Sequence, residues 1–350
     1  MAWIAELVRE RRFPGSLRSP LAFFAGLLAL FTILSAVFSR DPPVSIRHLP
    51  GLSLLLLLPI AGDLLEDVWR ARALVLALAA GILAQSALAI WQFRHGGEDL
   101  ENRIRGTLSH YMTFSGLATA GACLLLGFAL EGRGRWRWAG ALCVVPFGAV
   151  LLTYTRGAYV GILAALLLFV GVRRPRGLLI LLPILVAVFL LAPPAIRDRI
   201  RSTADLADRT NRDRIAMARA GARIVADYPI LGLGPDMVQP YYPLYRDPDA
   251  PRWRVPHLHD NVLQIAAANG VFAAASYLLL LALVFARVVS LLRRDSSPER
   301  APFWAGVFLA ATALTVAGLF EYNFGDTEVE MATLLVFALP FSKFAASPTG

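Results

Sequence analysis

The sequence is poor in the features of a disulfide-stapled, metal-clustered or nucleotide-binding protein. It has two cysteines in 350 residues, Cys123 and Cys143, both inside apolar runs. No polar loop holds a cysteine, so neither a disulfide framework nor a Cys-based zinc site is expected. There is no H-E-x-x-H motif. His257, His259 and the adjacent Asp260 are a weak case for a metal, and none is expected. "LGLGPDM" (231–237) holds a G-x-G but lacks the third glycine and a βαβ context, which argues against a dinucleotide site. No internal repeat stands out, and charge is nearly missing from the middles of the long apolar runs.

Those runs dominate the chain, which is 57% hydrophobic with a mean hydropathy of +0.58. About 20 apolar residues cross the roughly 30 Å hydrocarbon core as a helix. Only helices or closed barrels satisfy their backbone there. The runs lack period-two alternation, so helices are expected. Ten spans are expected, near 20–38, 49–62, 73–93, 112–130, 137–153, 158–172, 177–192, 262–286, 302–320 and 328–345. The expected fold is an all-α polytopic membrane bundle with one large, partly helical external loop. Its segments are an N-terminal bundle of about seven spans (1–192), the loop (193–261) and a C-terminal bundle of three (262–350).

The net charge of +9 invites a nucleic-acid reading. Its arginines instead sit in the short connections between spans, where they act as topology signals. One set of connections starts with Arg9, Arg11, Arg12 and Arg18 and ends with Lys343. It carries 17 of the 34 basic residues. The opposite short connections hold only Arg40, Arg47, Arg94, Arg103, Arg105 and Arg156. The richer side is cytoplasmic by the positive-inside rule, which puts both termini inside and the long loop outside. "SAVFSR" is a poor cleavage site, so the first span is expected to be retained rather than removed as a signal peptide.

The densest cluster of ionisable and amide side chains, "PHLHDNVLQ" (256–264), closes the loop where it meets the eighth span. A histidine there could exchange a proton near neutral pH. His259 is the candidate base, with His257, Asp260, Asn261 and Gln264 in support. Arginine forks onto phosphate oxygens through paired hydrogen bonds. Arg156 in "LLTYTRGAYVGIL" lies at the bilayer lip, crowded by Thr153, Thr155 and Gly157. In "NRDRIAMARAGARIVADYP" (211–229), a helical projection centred on Ile215 puts Ile215, Ala218, Ala222 and Val225 on one side. Arg212, Arg219 and Arg223 then face water, and Arg214 flanks the buried side. "RIRGTLSHYMTF" (103–114) adds Arg103, Arg105 and His110 outside. "EYNFGDTEVE" (321–330) adds Glu321, Asp326, Glu328 and Glu330. Bases, acids and phosphate-binding groups thus gather on the outer face.

"HLHDNVLQIAAANG" resembles the histidine motif of the O-antigen ligase and polymerase superfamily, near H-x-H-N-x-x-L-Q followed by a glycine. "RGTLSHYMTFSG", "TYTRGAYVG", "NRDRIAM…DYPILGLGP" and "GLFEYNFGDTEVE" resemble its other landmarks, in the family's order, from about residue 100 to 335. Asp260 stands where the family commonly has asparagine, and there are fewer N-terminal spans than in the larger members. The resemblance implies a GT-C-like, metal-independent glycosyltransferase without a cofactor. It implies an undecaprenyl-pyrophosphate-linked glycan as donor, and as acceptor lipid A-core for a ligase or another lipid-linked repeat for a polymerase. It implies His259 as catalytic base and Arg156 and Arg214 as donor binders, to which Arg105 is added as a further candidate, with Glu321 and Asp326 supporting. A transporter or flippase is the rival class. It would carry ionisable groups at mid-membrane, where this chain has Gln85 and a few hydroxyls.

Overall fold

A computed structural model describes residues 15–96 and 103–346. The topology arginines Arg9, Arg11 and Arg12 lie outside them. Among the described residues the chain is helical, without strands. It is an integral membrane protein with an all-α polytopic fold. The longer helices are α1 (Pro20–Val37), α2 (Pro42–Ile46), α3 (Leu57–Leu64), α4 (Val68–His95), α5 (Tyr111–Glu131), α6 (Arg135–Ala141), α7 (Val144–Leu152) and α8 (Arg156–Arg173). They continue with α9 (Leu178–Leu191), α10 (Pro194–Arg201), α11 (Arg209–Asp227), α12 (Val238–Tyr245), α13 (Asn261–Arg294), α14 (Ala301–Ala317) and α15 (Thr327–Ala338).

Among the described residues, seven helical stretches are long and apolar enough to cross a membrane, or eight if the bent pair α9–α10 counts as one. Three of the ten expected spans account for the difference. The 137–153 run is two short helices, α6 and α7. Pro146 has no N–H for the Leu142 carbonyl, so the helix restarts at Val144 and places the proline in a first turn, where the loss is tolerated. The 177–192 run ends at Leu191, and Pro193–Pro194 turn the chain by 119° into α10. The 302–320 run is helical only over the 17 residues of α14.

Contacts group the residues into two compact units that cut across the chain order. One comprises 74–215 and 288–333. Its centre is α14, buried along almost its whole length. Glycines let neighbouring helices approach it. A Cβ on Gly127 of α5 would fall 2.2 Å from Gly306 N, and one on Gly161 of α8 2.4 Å from Ala313 O. Small residues at such crossings are the usual way helices pack in lipid. Arg173 donates to Glu131 at 3.1–3.2 Å and to the Leu292 carbonyl at 2.8 Å. This arginine joins helices.

The other unit comprises the chain through residue 73, 216–287, and the chain from 334. Its core draws on Met217, Ala220 and Ile224 of α11, Leu233, Met237, Val238 and Tyr242, and Val255, Leu258, Ala267 and Ala268. The buried stripe of α11 therefore runs through Met217, Ala220 and Ile224. Ile215, Ala218 and Ala222 are exposed. Projection about Ile215 chose the wrong centre, because the larger Met217 and Ile224 define a stripe of equal period displaced around the helix. Arg219 and Arg223 do face water, at 65% and 51% exposure.

The expected single span at 262–286 is instead broken. Gly270 interrupts α13 with φ 84° and ψ 170°, a region that glycine alone occupies readily. The freed backbone groups pair with the 229–234 turn. Leu233 N donates to Ala267 O (3.0 Å), Gly234 N to Ala268 O (2.8 Å), and Val271 N to Pro229 O (2.8 Å). Ser35 of α1 adds its hydroxyl to Ala268 O at 2.8 Å. The first turns of α13 thus pack into the core shared with α11 and α12. A Cβ on Gly270 would meet Ile230 O at 2.0 Å. Gly270→Ala should lower stability in detergent by about 1–3 kcal/mol or more, from strain and overlap together. Gly26→Ala, with nothing within 4 Å of the added Cβ, should leave the thermal midpoint unchanged or raise it.

Candidate active site

The segment 256–264 is built so that its neighbours fix His259. Asp260 caps α13: its Oδ1 accepts the Leu263 N–H at 2.7 Å, satisfying one of the orphan donors of a helix start. Burial pushes the Asp260 carboxyl above its usual range, partly offset by the N–H groups of Leu263 and Val262. Gln264, buried one turn on, accepts the Leu258 N–H at 2.9 Å. Asn261 donates to Tyr277 Oη at 3.4 Å. His257 Nδ1 accepts the His259 N–H at 3.3 Å, which leaves its proton on Nε2. The two imidazoles lie 4.3 Å apart between centroids, tilted by 60°. Held in this way, His259 takes φ 54°, a conformation that costs a non-glycine residue about 1–2 kcal/mol. Asp260 and Gln264, expected as site support, thus act on the backbone around the histidine, and Asn261 on the Tyr277 hydroxyl. Two imidazoles also offer two nitrogen donors to a metal, although His257 Nδ1 is already engaged.

The other unit gathers arginines around the starts of α5 and α8. Arg156, the first residue of α8, is 4% exposed, so it does not snorkel to the surface. It donates to Ser202 O (2.8 Å), Ser202 Oγ (3.1 Å) and Asp208 Oδ1 (3.1 Å). Asp208 in turn accepts the N–H groups of Thr210 and Asn211 at the start of α11. Burial raises the affinity of Asp208 for a proton, but Arg156 and those N–H groups outweigh it and hold the carboxyl below the usual range. Arg156 thereby ties α8 to the cap of the helix that carries Arg214. Losing one partner of such a buried pair costs on the order of 3–5 kcal/mol.

Arg214 is 20% exposed, with Nη2 4.0 Å from Glu321. Burial lowers its pKa against the opposing pull of Glu321, and Arg156 adds to the lowering. Asp326 accepts the Thr113 hydroxyl at 2.9 Å. Burial pushes its carboxyl up, with Glu321 and Glu328 reinforcing that direction. Arg105 is exposed and donates to Ser109 O at 3.1 Å, within its own loop. Arg103 instead stacks over Tyr111, 4.5 Å from the ring centroid.

Sequence reasoning passed over Arg199. Its Nε donates to Tyr154 O at 3.1 Å, and Tyr154 sits at φ 53° in the "TYTR" turn. "RDRIR" (197–201) reads as a solvated charge run, and the tie to a turn 45 residues earlier leaves no local signal.

Residues 141–278 match the family model described as O-antigen ligase. No curated protein matches. Among solved structures, a chain from the work described as "Structural coordination of polymerization and crosslinking by a peptidoglycan synthase complex" is similar in fold. Its TM-score is 0.53 at 22% identity, covering 93% of this chain and 97% of that one. The family match spans Arg156, Arg214 and the whole histidine segment.

Proposed function

We propose that the protein is a glycosyltransferase that moves a glycan from undecaprenyl pyrophosphate to a sugar hydroxyl of lipid A-core, on the outer face of the bacterial cytoplasmic membrane. His259 takes the proton of the acceptor hydroxyl. The acceptor oxygen forms the new bond to the anomeric carbon, and the bond to the pyrophosphate oxygen breaks with its electron pair leaving on phosphate. Arg156 and Arg214 hold the pyrophosphate and stabilise the charge that develops on it, with Arg105 as an outer contact. Glu321 orients Arg214. The donor's own phosphate linkage drives the transfer, so no nucleotide takes part. The bracing of His259 carries this reading. Three neighbouring side chains, His257, Asp260 and Gln264, hold the backbone around His259 at an angle that costs free energy, within the segment that matches the family.

A polymerase acting on lipid-linked repeats is the second reading. The fold neighbour comes from a complex described by polymerization, and that analogy rests on fold alone. Purified protein should be given lipid-linked glycan and one acceptor at a time. Product on lipid A-core supports the ligase and longer lipid-linked chains support the polymerase. An unreacted donor with every acceptor rejects both.

Three outcomes follow for variants. His259→Ala should lower turnover by about 10²–10⁴-fold while the protein still inserts and binds donor. The parent rate should withstand chelators. A variant turning over near the parent rate would sink the assignment. At Arg214, lysine should not restore activity, since a point charge does not replace two directed hydrogen bonds. Arg219→Ala should be nearly silent, because Arg223 still pairs with Asp247 at 2.6 Å; equal losses at 214 and 219 would mean diffuse charge alone. Finally, single cysteines in 193–261, in a chain lacking Cys123 and Cys143, should react with an impermeant thiol reagent from outside. Those at 131–137 should not, and the reverse pattern would overturn the external site.

A further inference from the structure

We propose that Arg199 is a further contact for the donor pyrophosphate, an inference that rests on the function above and adds a residue to its arginine set. Arg199 uses Nε to hold the Tyr154 carbonyl. Its two terminal amino groups make no hydrogen bond to an acceptor among the described residues. The helix end that carries it is doubly anchored. Ser202 Oγ donates to Arg199 O at 2.9 Å, while Arg156 grips Ser202 O and Oγ. The guanidinium is therefore positioned by its near nitrogen, its backbone and the strained Tyr154 turn, with its fork left over.

The surroundings give that fork a reason to take an anion. Arg156, Arg103, Asp208 and Tyr111 are its electrostatic neighbours. Arg214 is in turn a neighbour of Arg156 and Tyr111, with Glu321 opposite. Burial first, then Arg156 and Arg103, push the Arg199 pKa down to about 10. Arg103, Arg199 and Arg214 are thus neighbours of Tyr111 and Arg156 of Arg199 and Arg214, with three carboxylates, Asp208, Asp213 and Glu321, in the same set. Asp208 already serves Arg156 and the cap of α11. Such like charges repel at low dielectric, and a doubly anionic group bound among them would relieve that repulsion. A brace for Tyr154 alone would need one N–H, which a neutral amide also supplies, though without the added strength of a charged donor.

The full chain in zwitterionic nanodiscs should be titrated with undecaprenyl pyrophosphate, and separately with inorganic pyrophosphate and phosphatidylglycerol as competitors. Arg199→Ala should weaken undecaprenyl pyrophosphate binding about tenfold or more. Arg199→Lys should keep only part of the affinity, because the fork is lost. Arg201→Ala, an exposed neighbour, should bind as the parent does. Inorganic pyrophosphate should compete and phosphatidylglycerol should not. Arg199→Gln keeps an N–H for the Tyr154 carbonyl. If it folds with the parental thermal midpoint and binds weakly, the charge is the contact even where the alanine variant is unstable. Parental affinity in the folded glutamine variant would overturn the proposal. So would equal losses at 199 and 201, or competition by phosphatidylglycerol. Binding that depends on Arg199 without transfer to any acceptor would reject the transferase and leave this anion contact standing. Transfer with binding indifferent to Arg199 would do the reverse.

Discussion

Three backbone hydrogen bonds across the break at Gly270 join the 229–234 turn to α13. A helix broken near a membrane exposes carbonyls and N–H groups that lipid cannot satisfy. Here the turn supplies every partner for the groups freed at 267, 268 and 271, and Ser35 shares one of them. The dependence is mutual. Gly232 (φ 69°) can follow the same path only because it lacks a Cβ, which would fall 2.4 Å from Ala268 O. The break therefore lets the residues between Asn261 and Asn269 leave the line of the membrane helix and join the core of Met217, Ile224 and Tyr242. His259 sits one residue before that helix's cap. Its direction follows from how the turn, the break and the cap are locked to one another.

The basic residues divide into two kinds by what they touch. Arg173 and Arg156 are joints: each satisfies backbone carbonyls and a carboxylate at once, and each would leave a buried acid behind if removed. The exposed Arg219 and Arg223 share one partner, Asp247, and contribute little beyond solubility, as surface pairs generally do. Arg214 lies between these kinds. It is mostly buried and faces one acid 4.0 Å away, looser than a direct ion pair with a shared proton. A guanidinium so placed is held without being saturated.

The sequence made the membrane class and the helical fold legible because lipid imposes one requirement, a long apolar run, that can be counted residue by residue. It misled where a run's length and the helix's continuity part company. Pro146 restarts one helix and Pro193–Pro194 fold another, and hydropathy registers neither. The phase of α11 failed for a related reason. Alanine occurs all round that helix, so the choice of centre rested on one isoleucine, and tertiary contacts chose Met217 and Ile224 instead. Of the candidate site, the histidine cluster and Arg214 could be found as motifs. Arg199 could not, since its significance comes from a carbonyl and two guanidiniums distant in the chain. The supporting roles of Asp260 and Gln264 were likewise hidden, because a cap and a catalytic amide have the same composition.

Backbone conformation adds one more regularity. Three non-glycine residues with positive φ occur among the described residues: Tyr154, Asp236 and His259. Each lies in a different motif: the arginine turn, the glycine turn and the histidine segment. Asp236 pairs with His48, and its turn receives the Ser45 hydroxyl at the Pro235 carbonyl. Strain of this kind persists only where surrounding contacts over-determine it. At Tyr154 the carbonyl so presented receives Arg199, and at His259 the N–H so presented is taken by His257. The strained residues therefore do not lie at random in the loops. At Tyr154 and His259 a backbone group so turned meets a side chain, whereas at Asp236 it is the carboxylate itself that meets His48.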